Sequence, residues 1–377
     1  MGLTLKLTDE EIPASPSFIE FLYAFIRGEE YYAGEWYLQE EESLTRNDGR
    51  FKGIEEMSHF VSHDKLGKAA ILRSYRFFRE LLTGRIETLR TIENFHYLFV
   101  VGMPRTGGTY LTKQLFRALG HDYKKVQNAL AHDGFPHLIN ISIREKGNLQ
   151  TSGLLQLSEY LTMVELYFGR PDGKCYEGKL AVPKKFTKGV YSFDLIKEVF
   201  KGSASYLITI RHPLAVCQSV IDKSGGLPKD GRFAVRSIIE RWAMEAWLHL
   251  GYGERDVFSM DYVDVLLGYW RSYHYQMAMS GMPSLPSSRI IPYGAEAMNQ
   301  VSRDVFASMG VDVEPETFFE ASAPEFDEKY LKAANKLIND MTAFWRSLGM
   351  SFPKKQQVYR YLVKDFGTSQ SPKSFTR

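Results

Sequence analysis

The chain has 377 residues, 44% hydrophobic and 14% aromatic, enough for one large α/β domain with an extension or for two smaller domains. Lys plus Arg number 47 against 45 Asp plus Glu, a balance that excludes the broad basic surface of a nucleic-acid binder and leaves any basic site local. Its two cysteines, Cys175 and Cys217, make neither a metal-ligand pattern nor a disulfide framework, which points to a reducing, cytoplasmic compartment.

The first residues, MGLTLKLTDEEIPASP, lack the basic and apolar regions of a signal peptide, and position 6 is Lys rather than the Ser or Thr of a myristoylation pattern. No apolar run approaches about 18 residues, so no membrane span is expected. Residues 1–95 read as a helical N-terminal extension. Ser15-Pro16 is a helix start, Phe18, Ile19, Leu22, Phe25 and Ile26 recur on one face, and Gly28 is the stop. Leu66–Thr83 is a second helix ending near Gly84; its Arg73, Arg76 and Arg79 read as a solvated face, with a pocket lining as the alternative.

At Tyr97-Leu98-Phe99-Val100-Val101 the pattern changes to a short apolar run, expected of a strand buried on both faces. A glycine-rich turn follows, then a helix over Thr109–Leu119 with Gly120 just past its end. Downstream lie a helix over Ser192–Phe200, a β-branched strand over Ser205–Ile210 and a helix opened by Pro213. A short strand, Arg289–Tyr293, carries Pro292 and so belongs at a sheet edge or strand end. A helix over Glu296–Met309 follows, then a long one over Asp327–Leu348 and a polar tail after Phe366. Alternating strands and helices predict a three-layer, P-loop-like parallel sheet flanked by helices, an α/β core over 96–315, with 316–377 as C-terminal helix and tail.

Gly102-Met103-Pro104-Arg105-Thr106-Gly107-Gly108-Thr109 fits the frame G-x-x-x-x-G-K-[ST] at every fixed position except one, where Gly108 replaces the lysine. Successive N–H groups in such a loop form an anion nest, and the helix after the loop adds its positive end. In nucleotide triphosphatases the missing lysine reaches the β- and γ-phosphates, and Mg²⁺ is held by the Ser or Thr. Here Arg105 is the cation within the loop, and the later strand runs into Arg211 rather than a carboxylate. An anion at this loop is thus matched to a protein cation rather than a metal. Arg211 falls where ligands of open α/β sheets bind, at a strand's carboxyl end, and a guanidinium suits bidentate phosphate binding.

These residues resemble the sulfotransferases that use 3′-phosphoadenosine-5′-phosphosulfate (PAPS). The family's 5′-phosphosulfate loop, P-[RK]-[ST]-G-[TG]-T, is matched by Pro104 through Thr109, and its 3′-phosphate signature, a strand-end Arg with Ser eight residues on, by Arg211 and Ser219. The similarity covers roughly residues 96–315. It implies that Arg105, Thr106, Gly107, Gly108, Thr109, Tyr110, Arg211 and Ser219 bind the nucleotide, that PAP is released, and that no metal is required. Three features depart from the family pattern. Tyr110 stands where many members have Leu or Trp, the C-terminal Arg-Lys-Gly loop is missing, and the nearest counterpart of Lys-Thr-Pro or Lys-Thr-His is Val182-Pro183-Lys184-Lys185-Phe186.

Sulfonate transfer needs a base for the acceptor proton and cations where charge grows on the leaving phosphate. Arg105 serves the leaving group, and Lys185, or its neighbour Lys184, is the candidate to bridge sulfonate and leaving oxygen; an ordinary basic surface strand is the plain reading of that pair. His132, able to pair with Asp133, is the candidate base, with His137, Glu165 and Glu177 as alternatives. The partner expected is a small-molecule or biopolymer hydroxyl. Trp242, Trp247, Tyr269, Trp270, Tyr273 and Tyr275 read as core at helical spacing or as the lining of an acceptor pocket. The rival functions are a P-loop kinase or nucleotide hydrolase, and a non-catalytic nucleotide-binding protein on the same frame.

Overall fold

The computed structural model describes residues 14–29, 48–133, 136, 148–170, 173–318 and 327–353. His137 and the tail after Phe366 lie outside these residues. Two compact units are present, divided between Val100 and Val101, Gly108 and Thr109, Tyr206 and Leu207, Arg303 and Asp304, and Glu314 and Pro315.

Helix α1 (Pro16–Arg27) starts as its sequence predicts: the Ser15 hydroxyl accepts from the Phe18 N–H, Pro16 sits in the first turn, and Gly28 ends the helix at φ +67. After α2 (Asp48–His63), helix α3 (Lys65–Thr83) is capped by Asp64 and stopped by Gly84 at φ +69. A short α4 (Arg90–Asn94) leads into β1 (Phe95–Gly102), all of whose residues are buried. Then come α5 (Gly108–Ala118), α6 (Tyr123–Val126), a π-type turn over Gln127–Ala131, and α7 (Asn148–Phe168). Strands β2 (Cys175–Tyr176) and β3 (Lys179–Lys185), helix α8 (Phe193–Val199), strand β4 (Ala204–Ile210) and helix α9 (Pro213–Lys223) follow. The remaining elements are α10 (Ile238–His249), α11 (Glu254–Ser259), α12 (Tyr262–Met279), β5 (Ser288–Pro292), α13 (Ala295–Ser308) and α14 (Glu328–Ser347).

The strands form one five-stranded sheet, flanked by helices, in the order β2-β3-β1-β4-β5. β1 is an interior strand, which explains its unbroken apolar run. β5, with Pro292 as its last residue, is an edge strand as expected. The sheet is mixed rather than wholly parallel. β3 runs parallel to β1, but β2 pairs antiparallel with β3, because Glu177 and Gly178 turn the chain back at φ +51 and +77.

In the first unit α3 packs on α7, and Arg73 does not join a solvated face. It grips Glu165 of α7 with two bonds, Nε to Oε2 at 3.0 Å and a terminal nitrogen to Oε1 at 2.7 Å, and lies over the Phe77 ring. Arg76 and Arg79 are exposed. In the second unit Tyr269, Trp270 and Tyr273 of α12 are fully buried core, whereas Tyr275 is exposed and stacks on Phe344. Among the described residues no helix is long and apolar enough to cross a membrane.

Candidate active site

The second unit contains the loop between β1 and α5. Gly102 ends β1 where no side chain fits: a Cβ there would lie 2.1 Å from the Thr209 hydroxyl of β4. That hydroxyl pairs with the Thr106 hydroxyl at 2.6 Å, and Thr106 donates to the Met103 carbonyl at 2.7 Å. Thr106 is 1% exposed, so its hydroxyl faces inward and shapes the loop. What it can offer an anion is its backbone N–H. Arg105 and Gly107 both have positive φ, +72 and +91. Glycine adopts this region freely; for arginine it is strained by about 1–3 kcal/mol, strain of a kind that clusters at binding loops.

Arg105 and the second motif meet in this unit. The Arg105 Nε–H donates to Ser219 Oγ of α9 at 2.8 Å, and a terminal N–H of Arg211 donates to the Arg105 carbonyl at 2.9 Å. Arg211 follows β4 directly and is 6% exposed. Two aromatic residues outside both sequence motifs hold it. Its guanidinium lies over the Tyr293 ring, 4.0 Å from the centroid, and its carbonyl accepts from the Trp270 indole at 3.0 Å. Tyr293 is anchored by its own N–H to the Ile210 carbonyl at 2.8 Å. The partial negative face of the ring and the carbonyl of Arg105 together stabilise a buried guanidinium.

In the first unit lies a basic pair. Val100 of β1 is in register with Lys185 at the end of β3. Lys184 and Lys185 are buried, not a surface strand. Adjacent strand residues leave on opposite faces, so their duties differ. Lys184 Nζ donates to the carbonyls of His132 at 2.9 Å and Leu130 at 3.3 Å, and sits over the Tyr160 ring. Burial pushes its ammonium down to about 7, the charge of Asp133 acting the other way. Lys184 therefore braces the main chain that carries His132.

Lys185 Nζ lies 2.8 Å from Asp133 Oδ2 and 3.1 Å from His132 Nε2. Asp133 also accepts from the Thr187 N–H and, at 2.9 Å, from the Thr187 hydroxyl. Its burial alone would raise its pKa, but the charge of Lys185 and the bonds from Lys185 and Thr187 hold it below the ordinary carboxylate value. The sequence pairs Asp133 with its neighbour His132; in the structure His132 Nδ1 lies 3.9 Å from Asp133 Oδ2, a looser contact than the one Lys185 makes with the same oxygen at 2.8 Å.

Gly108, Thr109 and Tyr110 form the first turn of α5, with Thr109 and Tyr110 half-buried. Of the alternative bases, Glu165 is engaged by Arg73, and Glu177 stands in the β2–β3 turn with its side chain 63% exposed, 3.5 Å from His96. Among the described residues no three His, Cys, Asp or Glu side chains are grouped to hold a metal ion.

No protein-family model and no curated protein matches the chain. Among solved structures it is similar to the sulfotransferase domain from the curacin biosynthetic pathway, at 15% identity over 72% of this chain and 97% of that one, with a TM-score of 0.30. A likeness that loose carries no argument about function, which rests on the site's own residues.

Proposed function

We propose that this chain transfers a sulfonate group from PAPS to an acceptor hydroxyl and releases PAP, in the cytoplasm, on a P-loop-like α/β core spanning 96–315. One observation supports the reading most. Arg105 and Ser219, 114 residues apart, are bonded side chain to side chain, and Arg211 donates to Arg105's own carbonyl. The two segments read from sequence as serving the 5′ and 3′ ends of one nucleotide thus converge on one arginine. A kinase or hydrolase needs a cation at position 108 to reach a triphosphate, and glycine stands there.

In the reaction proposed, the acceptor oxygen bonds to sulfur while the bond from sulfur to the bridging oxygen breaks, and the electron pair of that bond stays on the 5′-phosphate. Arg105 and the N–H groups of residues 106–109 stabilise the charge that grows there. Arg211, with Ser219, binds the 3′-phosphate. Lys185 serves the sulfonate and bridging oxygen, and His132 takes the acceptor proton. In the free protein Lys185 occupies His132 Nε2, so release of that contact frees the lone pair that a base needs.

The test is protection against unfolding without added metal. PAP at about 100 times its Kd stabilises a specific binder by about 2.7 kcal/mol. PAP is expected to raise the unfolding midpoint and Mg²⁺-ATP to leave it unchanged, with PAP then appearing from PAPS in the presence of a suitable hydroxyl acceptor. Protection by Mg²⁺-ATP but not by PAP overturns the proposal.

A further inference from the structure

Asp133 has no part in the proposed transfer, yet its side chain is 4% exposed and makes three bonds within a short stretch of chain. Two come from Thr187, N–H and hydroxyl, and one from Lys185. It therefore clamps residues 185 and 187 together. With the ammonium held there, another of its N–H bonds points at His132 Nε2, 3.1 Å away. An ammonium only donates, so Nε2 must accept, which leaves the imidazole neutral with its proton on Nδ1. Lys184 fixes the same histidine from behind through the His132 carbonyl.

We propose that Asp133 is a positioning residue: it fixes Lys185 as the ammonium that meets His132 Nε2, and through that lysine holds His132 in the neutral form protonated on Nδ1. The inference rests on the reading that Lys185 and His132 serve the transfer, but its spectroscopic consequence does not. A purely structural carboxylate would behave differently. Asparagine can still accept from Thr187 through its amide oxygen, so it preserves the turn while removing the anion that holds the lysine.

The experiment uses the full chain with ¹⁵N-labelled histidine, and long-range ¹H–¹⁵N correlations to read which ring nitrogen of His132 carries the proton; His132→Gln assigns the signal. In wild type at neutral pH the proton is expected on Nδ1. Asp133→Asn and Lys185→Met should each shift His132 toward Nε2–H, and the double variant should match Lys185→Met, because Asp133 acts through Lys185. In the turnover arm, Asp133→Asn should slow PAP release from PAPS about 10²-fold while PAP binds as to wild type, and the double variant should be no slower than Lys185→Met. A His132 spectrum unchanged by Asp133→Asn, or additive effects in the double variant, overturns the proposal. Should Asp133→Asn not fold, Lys185→Met and Thr187→Val decide: the first must change the His132 tautomer fully and the second in part, and unchanged spectra in both refute it. If wild type releases no PAP from PAPS, the transfer reading fails, and the spectra still decide the role of Asp133.

Discussion

Replacing Gly102 with alanine tests how the loop is built. The added Cβ would meet the Thr209 hydroxyl at 2.1 Å, and the Thr106 hydroxyl and Thr209 carbonyl at 2.7 Å each. Ordinary contacts begin near 3.5 Å, so the Thr209 hydroxyl must move by more than about 1 Å. It has little freedom to do so, being paired with Thr106 at 2.6 Å on an interior strand. Overpacking of this kind costs about 1–3 kcal/mol, and breaking the hydroxyl pair adds about 1 kcal/mol. Gly102→Ala is therefore expected to lose roughly 2–4 kcal/mol in urea unfolding. It should also weaken PAP, because Thr106 shapes the loop through the Met103 carbonyl. Thr209→Ala in the Gly102→Ala background removes the nearest obstacle, so the double variant should lose less than the sum of the two single changes. Stability of Gly102→Ala within about 0.5 kcal/mol of wild type, or strict additivity with Thr209→Ala, would refute this packing argument.

Two further predictions concern charge and strain. Between about pH 7 and 10.5 an unfolded Lys184 binds a proton that the folded chain releases, so stability should rise with pH across that window. The gap converts to roughly 5 kcal/mol at most. Lys184→Met should flatten the slope in urea titrations at pH 7, 8 and 9, and an equal slope in both proteins contradicts the assignment. Arg105 at φ +72 is strained, whereas glycine there is not. Arg105→Gly should therefore be about 1 kcal/mol more stable than Arg105→Ala, while both lose at least about tenfold in PAP affinity. Equal stability of the pair, or wild-type PAP affinity in either, counts against the loop's role.

What is legible in the sequence is contiguous. The strand over 97–101, the loop at 102–109 and the helix after it carry their signals within a single run of residues, and Pro292 marks its strand as an edge. Ser15 and Gly28 cap α1 where local chemistry requires. What the sequence hides depends on partners distant along the chain. Lys184 and Lys185 read equally as a sulfonate-bridging pair or a basic surface strand, because nothing local shows their burial; the groups that hold them lie at 130–133. Arg73 and Glu165 mislead together, as solvated face and candidate base, because each is the other's partner across 92 residues. His132 and Asp133 are sequence neighbours, but their direct contact, Nδ1 to Oδ2, is loose at 3.9 Å, and Lys185 lies closer to both. Helix α7 has no clear signature because it is buried without a break from Leu157 to Val164, Ser158, Glu159 and Thr162 included, so more than one face is covered and the helical period is blurred. Tyr293 gives no signal, and Trp270 signals only core or an acceptor pocket, since stacking beneath an arginine and donating to its carbonyl are properties of the fold.

The central claim is that Arg211 and Ser219 recognise a 3′-phosphate, and calorimetry with PAP and AMP tests it most directly, since the two differ only in that group. Wild type is expected to prefer PAP by a charge-assisted contact of about 1.5–3 kcal/mol, at least tenfold in Kd. Arg211→Ala should erase most of that preference with AMP binding little changed, and Ser219→Ala should erase less. The positive end of α9, which starts at Pro213, should keep a remainder in both. Equal affinity of the wild-type protein for PAP and AMP would contradict the account.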